Sequence, residues 1–322
     1  MARFTDVLVT PETMQAWSAQ QRLAGRRVSF VPTMGALHDG HLELVRQARR
    51  HGDAVVVSIF VNPLQFDRPD DFDAYPRPID ADVEACHRAG VDAVYAPVAS
   101  TMYPPGFQTT VVPGALAEPM EGGGRPGHFA GVTTVVTKLF NAVRPDVALF
   151  GQKDFQQLAI IRRMTADLDF GIEIVGVPIV READGLARSS RNTRLGASER
   201  AAAVAVPRSL DAVEESFRSG ERSTAALHRA AVRVLDAEPL SRLEYLEFAD
   251  VDTLAPVEQI VAPTVAAIVV WFGDVRLIDN SGLPQAKRRR GRHAPRSGSG
   301  RSHRQLSCVH LPSGPSRIWS GG

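Results

Sequence analysis

The chain has 322 residues, 44% hydrophobic and 23% charged, enough to bury a sizeable core over roughly two domains. Its net charge of +1 hides an asymmetry: positions 1–280 hold 28 basic against 36 acidic residues, and the remainder holds nine Lys or Arg and no Asp or Glu. Two distant cysteines, Cys86 and Cys308, no apolar signal core and no apolar run beyond eight residues (265–272) exclude a disulfide scaffold and a membrane-spanning helix, so a cytoplasmic protein is expected.

"RRVSFVPT" (26–33) reads as a short buried strand. After a turn-rich loop, "HLELVRQARRHG" spaces Leu42, Val45 and Ala48 as one helical stripe that stops at Gly52, and "AVVVSIFVN" (54–62) is a second, β-branched strand. Strand, helix and strand within about 37 residues is the βαβ unit of a parallel sheet. Further strands are expected at 92–97, 146–150 and 172–180, with helices at 132–143 and 155–168 between the last three. The alternation predicts an α/β fold, a doubly wound parallel sheet of Rossmann type over 1–179. From residue 180 the pattern changes: a polar loop, helices at 198–219 (kinked or divided by Pro207) and 222–237, then strands at 243–248, 265–272 and 275–279. This predicts a smaller α+β domain over 180–280. Residues 281–322, rich in Ser, Gly, Pro and Arg, read as a basic disordered tail.

Four polar clusters fall at predicted strand ends, where open α/β sheets bind ligands. In "PTMGALHDGHLELV", His38 and His41 lie three apart at a helix start, whose free N–H groups suit a phosphate, while Gly35 and Gly40 allow close backbone approach. Zinc needs a third ligand that the neighbourhood lacks, and surface histidines beside a turn fit the segment equally well. "FVNPLQF" places Asn62 and Gln65 after a strand, either as a plain Asn-Pro turn or as amide donors to a carboxylate or hydroxyl substrate. "LFGQKDFQQL" sets Lys153 and Asp154 at a helix start, the lysine suited to phosphate and the aspartate equally a helix cap, without a Walker P-loop pattern. "GLARSSRNTRL" offers Ser189, Ser190 and Arg191, hydroxyls and a forked guanidinium suited to polyphosphate, in a kind of polar loop that is also common without function.

Together with "DFDAYPR" and "EGGGRPGHFAGVTTVV", these segments resemble the pantoate–β-alanine ligase (pantothenate synthetase) family in order and spacing, over about residues 1–280. The resemblance implies the HIGH-type nucleotidylyl-transferase fold, with His-x-x-His in place of HIGH and Ser-Ser-Arg in place of KMSKS. It implies ATP-dependent condensation of (R)-pantoate with β-alanine through a pantoyl adenylate, with release of pyrophosphate and AMP. Carried across, Met34 to His41 and Gly151, Gln152, Lys153 and Asp154 would meet ATP, with His38, His41 and Lys153 catalytic and His41 the proton donor. Val180, Arg188, Ser189, Ser190 and Arg191 would close over the nucleotide. Gln65 and Gln157 would hold pantoate, with Gln65 also facing β-alanine and Asn62 and Tyr75 nearby. Mg²⁺ would bridge the phosphates, held mainly by ATP oxygens and water, with no protein metal cage. A homodimer is the family expectation. The chain departs from the family at Arg188, where methionine is usual, and beyond residue 280, where no counterpart exists. Alternatives are a related adenylyl transferase with another substrate, or a nucleic-acid-binding module acting through the basic tail.

Overall fold

The computed structural model describes residues 5–284. From the N-terminus run β1 (Asp6–Leu8), α1 (Pro11–Leu23), β2 (Val28–Thr33), α2 (Asp39–His51) and β3 (Ala54–Ile59). Next come the short α3 (Pro69–Asp73), α4 (Ile79–Arg88), β4 (Ala93–Tyr95) and the short α5 (Ala99–Met102) and α6 (Glu121–Gly124). Then follow α7 (His128–Val143), β5 (Val147–Gly151), α8 (Phe155–Asp167) and β6 (Glu173–Val177). After a polar loop come α9 (Ala197–Ala202), α10 (Ala205–Arg218), α11 (Thr224–Asp236), β7 (Ser241–Asp250), β8 (Thr264–Phe272) and β9 (Val275–Leu283).

The first six strands form one parallel sheet in the order β1-β4-β3-β2-β5-β6. Its central strands are mostly apolar and buried on both sides because helices cover both faces. Val28, Phe30, Val56, Ala148 and Phe150 point toward α1, α7 and α8, whereas Val31, Val55, Val57 and Leu149 point toward α2 and α4. The chain builds outward from β2 to β3 and β4, then crosses back to place β5 on the other side of β2. That reversal opens a crevice at the carboxyl ends of β2 and β5, the switch point at which such sheets take ligands.

The remaining three strands form an antiparallel sheet, β7-β8-β9. Leu210, Val213 and Phe217 of α10 and Leu227 and Leu235 of α11 bury its inner face against Leu246, Ile268, Val270 and Leu277.

One sequence expectation holds and two shift. The helix over 198–219 is divided, as Pro207 requires: α9 ends at Ala202 and α10 begins at Ala205, so Pro207 falls in the first turn, where its missing N–H costs nothing. The buried stripe of α2 is Leu44, Val45 and Ala48, with Leu42 half-buried, because the first turn of the helix leans over the crevice. Finally, β9 runs past Asn280: Ser281, Gly282 and Leu283 pair with Ala266, Val265 and Thr264, and Leu283 is buried. Ser and Gly read as tail residues in isolation, but the free edge of β8 supplies backbone partners. The rest of the segment read as a tail, from residue 285, lies outside the described residues. Among the described residues, no helix is long and apolar enough to cross a membrane.

Candidate active site

A cavity of about 1010 Å³ opens at the carboxyl ends of β2 and β5 and is walled on its far side by β7–β9. All four polar clusters line it. Met34, His38, Gly40, His41, Asn62, Gln65, Tyr75, Gly151, Lys153, Asp154, Gln157, Val180, Arg188, Ser189, Ser190 and Arg191 face the space. Gly35, Ala36, Leu37, Asp39 and Gln152 do not, and the places of Gly35 and Gln152 are structural. Gly35 takes φ +83° in the β2–α2 turn, where a Cβ would lie 2.8 Å from Asp82 Oδ2. The Gln152 backbone N–H donates to Val177 O and its carbonyl accepts from Asn280, so the residue serves to join strands.

The two histidines form a stacked pair, ring centroids 4.1 Å apart. His38 is the N-cap of α2, and its Nδ1 accepts from the Gly40 N–H at 3.1 Å. His41 Nδ1 accepts from the His38 backbone N–H at 3.3 Å. A ring nitrogen that accepts carries no proton, so both imidazoles hold theirs on Nε2. Gly40 is required here, because a Cβ on it would lie 2.8 Å from the His38 ring. Burial, aided by Lys153 and Arg188, lowers the His38 pKa to about 4; burial, aided by His38 and Lys153, lowers that of His41 to about 3. The pair is therefore neutral at pH 7.

The turn before them is held from outside. Ala36 has φ +50°, a conformation costing a non-glycine residue about 1 kcal/mol or more. The buried Asp82 carboxylate, from the first turn of α4, accepts from the N–H groups of Ala36 and Leu37, both at 2.8 Å.

On the second wall, Asn62 is 1% exposed and its amide is fully used: Nδ2 donates to Gln65 Oε1 and Gly131 O, and Oδ1 accepts from Leu64 N and Tyr103 OH. The amide donor expected to be free for substrate instead orients Gln65. The turn can approach α7 because residue 131 is glycine; a Cβ there would meet Leu64 O at 2.2 Å. The Gln65 carbonyl accepts from Arg125 Nη2 at 3.1 Å and His128 Nδ1 at 2.8 Å. Burial, then the Arg125 charge, lowers the His128 pKa to about 4. Arg276 of β9 donates to both Glu121 oxygens, at 2.8 and 2.7 Å, and Tyr245 OH donates to Glu121 Oε1. Burial opposes the Glu121 charge, but Arg276 overrides it and holds the carboxyl below its usual range.

On the third side, Asn280 Nδ2 donates to the carbonyls of Gln152 and Lys153, each at 2.9 Å, fixing the β5 turn that carries Lys153 and Asp154. The Ser-Ser-Arg loop lies across the opening. Arg191 and Arg194 pair with Asp71 at 3.3 and 3.2 Å, and Arg188 pairs with Asp39 at the start of α2. Ser189 accepts from the Arg191 N–H and caps a 3-10 turn over Ser190–Arg194. Burial raises the Tyr75 pKa, with a hydrogen bond to Ser190 opposing it.

This arrangement has close counterparts. Residues 6–282 match the Pantoate-beta-alanine ligase family. The chain belongs to the pantoate–β-alanine ligase family. It is 50% identical to a pantothenate synthetase from Pelobacter propionicus over 270 residues, 84% of this chain and 95% of the relative. Against one from Heliobacterium modesticaldum it is 53% identical over 267 residues, 83% of this chain and 95% of that one. Among solved structures, the pantothenate synthetase of Thermus thermophilus superposes with a TM-score of 0.82 at 45% identity, covering 86% of this chain and 99% of the other. The Francisella tularensis pantoate–β-alanine ligase, solved with β,γ-ATP and β-alanine, gives 0.71 at 29% identity over 86% and 97% of the two chains. The activity is the ATP-dependent ligation of pantoate to β-alanine.

Placing a pantoate–β-alanine ligase on this geometry shows what motif reading passed over. Arg125, His128, Glu121, Arg276 and Asn280 act on cavity residues, and Asp82 on the turn before His38, through contacts spanning 35 to 155 positions. "EGGGRPGHF" was visible only as a family segment and 275–279 only as a strand; nothing in their spacing marks a charged cluster.

Proposed function

We propose that the cavity performs the ligation in two steps, the first an adenylation at the His38–His41 pair. A pantoate carboxylate oxygen attacks the α-phosphorus of ATP, and the bond to pyrophosphate breaks. The amine of β-alanine, as free base, then attacks the acyl carbon; the bond to AMP breaks and the nitrogen loses a proton. The observation that carries this reading is the pair of neutral imidazoles with Nε2–H at a helix N-terminus, within one cavity with Lys153 and the Ser189–Arg191 loop.

In the first step charge builds on the phosphorus oxygens while pyrophosphate departs. Donors set where charge develops are usually the largest catalytic contribution, and losing one costs about 10²–10³ in rate. His38 and His41 supply Nε2–H donors that need no reorganisation, and Lys153 supplies a full charge. His41 therefore acts as a neutral hydrogen-bond donor, a refinement of the proton-donor role expected from the family. Met34, Gly40, Gly151 and Asp154 line the nucleotide space, and Val180 and Arg188 to Arg191 cover it. Gln65, oriented by Asn62, and Gln157 hold pantoate, with Tyr75 closing that end. The enzyme's part in the second step is to hold amine and adenylate in line.

Mg²⁺ comes with the triphosphate. Phosphate oxygens and water would supply most of its ligands, and Asp154, beside Lys153, is a cavity carboxylate suited to an outer contact. We further propose a cytoplasmic homodimer with domains at 1–179 and 180–280, the division supported by the change from parallel to antiparallel sheet. The deciding experiment is pantoate-dependent exchange of labelled pyrophosphate into ATP, followed by AMP release on adding β-alanine. AMP release without prior exchange would sink the two-step reading, and exchange with other hydroxy acids but not pantoate would move the substrate.

A further inference from the structure

We propose that Asp82 is a positioning residue for the adenylation step, holding the β2–α2 turn so that the Nε2–H groups of His38 and His41 point into the cavity. The inference rests on the reading of the histidine pair given above.

Asp82 is 3% exposed and does not line the cavity, so it touches no substrate. Each carboxylate oxygen accepts one backbone N–H, from Ala36 to Oδ2 and from Leu37 to Oδ1. Among the described residues it has no ion-pair partner; the two turn N–H groups and the first turn of α4 compensate its buried charge.

The turn needs this restraint. Gly35 and Ala36 both have positive φ, and for Ala36 the relaxed alternative is the ordinary negative region. Thr33 Oγ1 holds only the first of these peptides, by accepting from the Gly35 N–H at 3.2 Å. The next peptide after Leu37 is that of His38, whose N–H donates to His41 Nδ1. Rotation of the Ala36 or Leu37 peptide would turn that N–H away. His41 Nδ1 would lose its donor, and the proton would distribute between the two ring nitrogens. Asp82 thus acts on the imidazoles through two backbone amides, at one remove from the chemistry.

The experiment is Asp82→Asn in the full chain, read three ways. Turnover in the pyrophosphate exchange is expected to fall about 10- to 100-fold, the scale for a small misplacement of catalytic groups. KM for ATP and for pantoate should stay within about threefold, because the binding walls are untouched. In protein labelled with ¹⁵N-histidine, with His38 and His41 assigned through Gln replacements, the wild type should show both rings protonated at Nε2 and Asp82→Asn should show mixed tautomers. Cys86→Ala, a cavity on the same helix, controls for stability and should keep both turnover and tautomers. Normal turnover with unchanged tautomers in Asp82→Asn overturns the proposal, as does an equal turnover loss in Cys86→Ala. Should Asp82→Asn not fold, Asp82→Ser, whose single oxygen cannot hold both the Ala36 and Leu37 N–H groups, takes its place, and normal turnover with unchanged tautomers there is equally fatal. Wild-type exchange in the histidine variants defeats the reading of the pair itself; loss there with normal Asp82→Asn defeats only the positioning.

Discussion

The side-chain amide of Asn280, in the last strand, donates to the backbone carbonyl of Lys153 at 2.9 Å and to that of Gln152 at the same distance. One residue of the antiparallel sheet therefore fixes the turn that delivers the cavity lysine. Asn280→Ala leaves two carbonyls without that donor. We expect a loss of about 1–3 kcal/mol in unfolding free energy and about a tenfold fall in exchange rate. Thermal melts and the exchange assay check this, and an unchanged rate would show that Lys153 is held by other means.

Lys153→Ala and His41→Ala are each expected to lower turnover about tenfold or more, with the fold intact by circular dichroism. A variant with near-normal turnover removes its residue from the chemistry.

The neutral histidines make a pH prediction. His38 and His41 lose their protons at about 4 and 3 in the folded chain, so turnover in the pyrophosphate exchange, which needs no free amine, should show no acid limb near 6.5 and should hold until close to pH 4 to 5. An acid limb centred near 6.5 would mean a charged imidazole. Stability runs the other way. Below pH 6.5 the unfolded chain takes up protons on His38, His41 and His128 that the folded chain refuses until about pH 4, 3 and 4. Unfolding free energy should therefore decline as pH falls from 6.5 to about 4, as denaturant melts across that window would show.

Arg188 and Asp39 form an ion pair with side chains 37% and 59% exposed, so its worth is at most about 1 kcal/mol. Arg188→Met should leave turnover equal or higher and change KM for ATP by less than about fivefold. Asp39→Asn in the Arg188→Met background should add nothing through this pair. A sharp loss in Arg188→Met would identify the arginine as a working part of the nucleotide site.

Truncation separates strand from basic segment. A chain ending at Pro284 should keep turnover and melting temperature. One ending at Asn280 loses the pairing of residues 281–283 with β8 and the buried Leu283 side chain, and should melt lower by several degrees, about 2–4 °C per kcal/mol. Equal melting of the two chains would count against the strand extension.

Much of the fold was legible because its signals are local. Apolar runs such as 28–31 and 54–57, separated by an amphipathic helix, determine a parallel α/β sheet; Pro207 dictates a helix start; and four polar clusters follow strand ends, which lie at one edge of such a sheet. The sequence by itself therefore named the polar loops that reach the cavity, although Gly35, Ala36, Leu37, Asp39 and Gln152 do not line it, and its motifs named the family. It was silent on what holds that lining. Asp82, Arg276 and Asn280 are ordinary polar residues whose partners lie 46, 155 and 127 positions away, and such pairings have no periodicity to read. Asn62 was left open between a plain turn and a substrate donor because its amide type was visible while its four partners were not. The charge state of His38 and His41 was equally out of reach. It depends on burial and on the direction of two backbone N–H groups, which exist only once α2, α4 and the β5 turn are packed together.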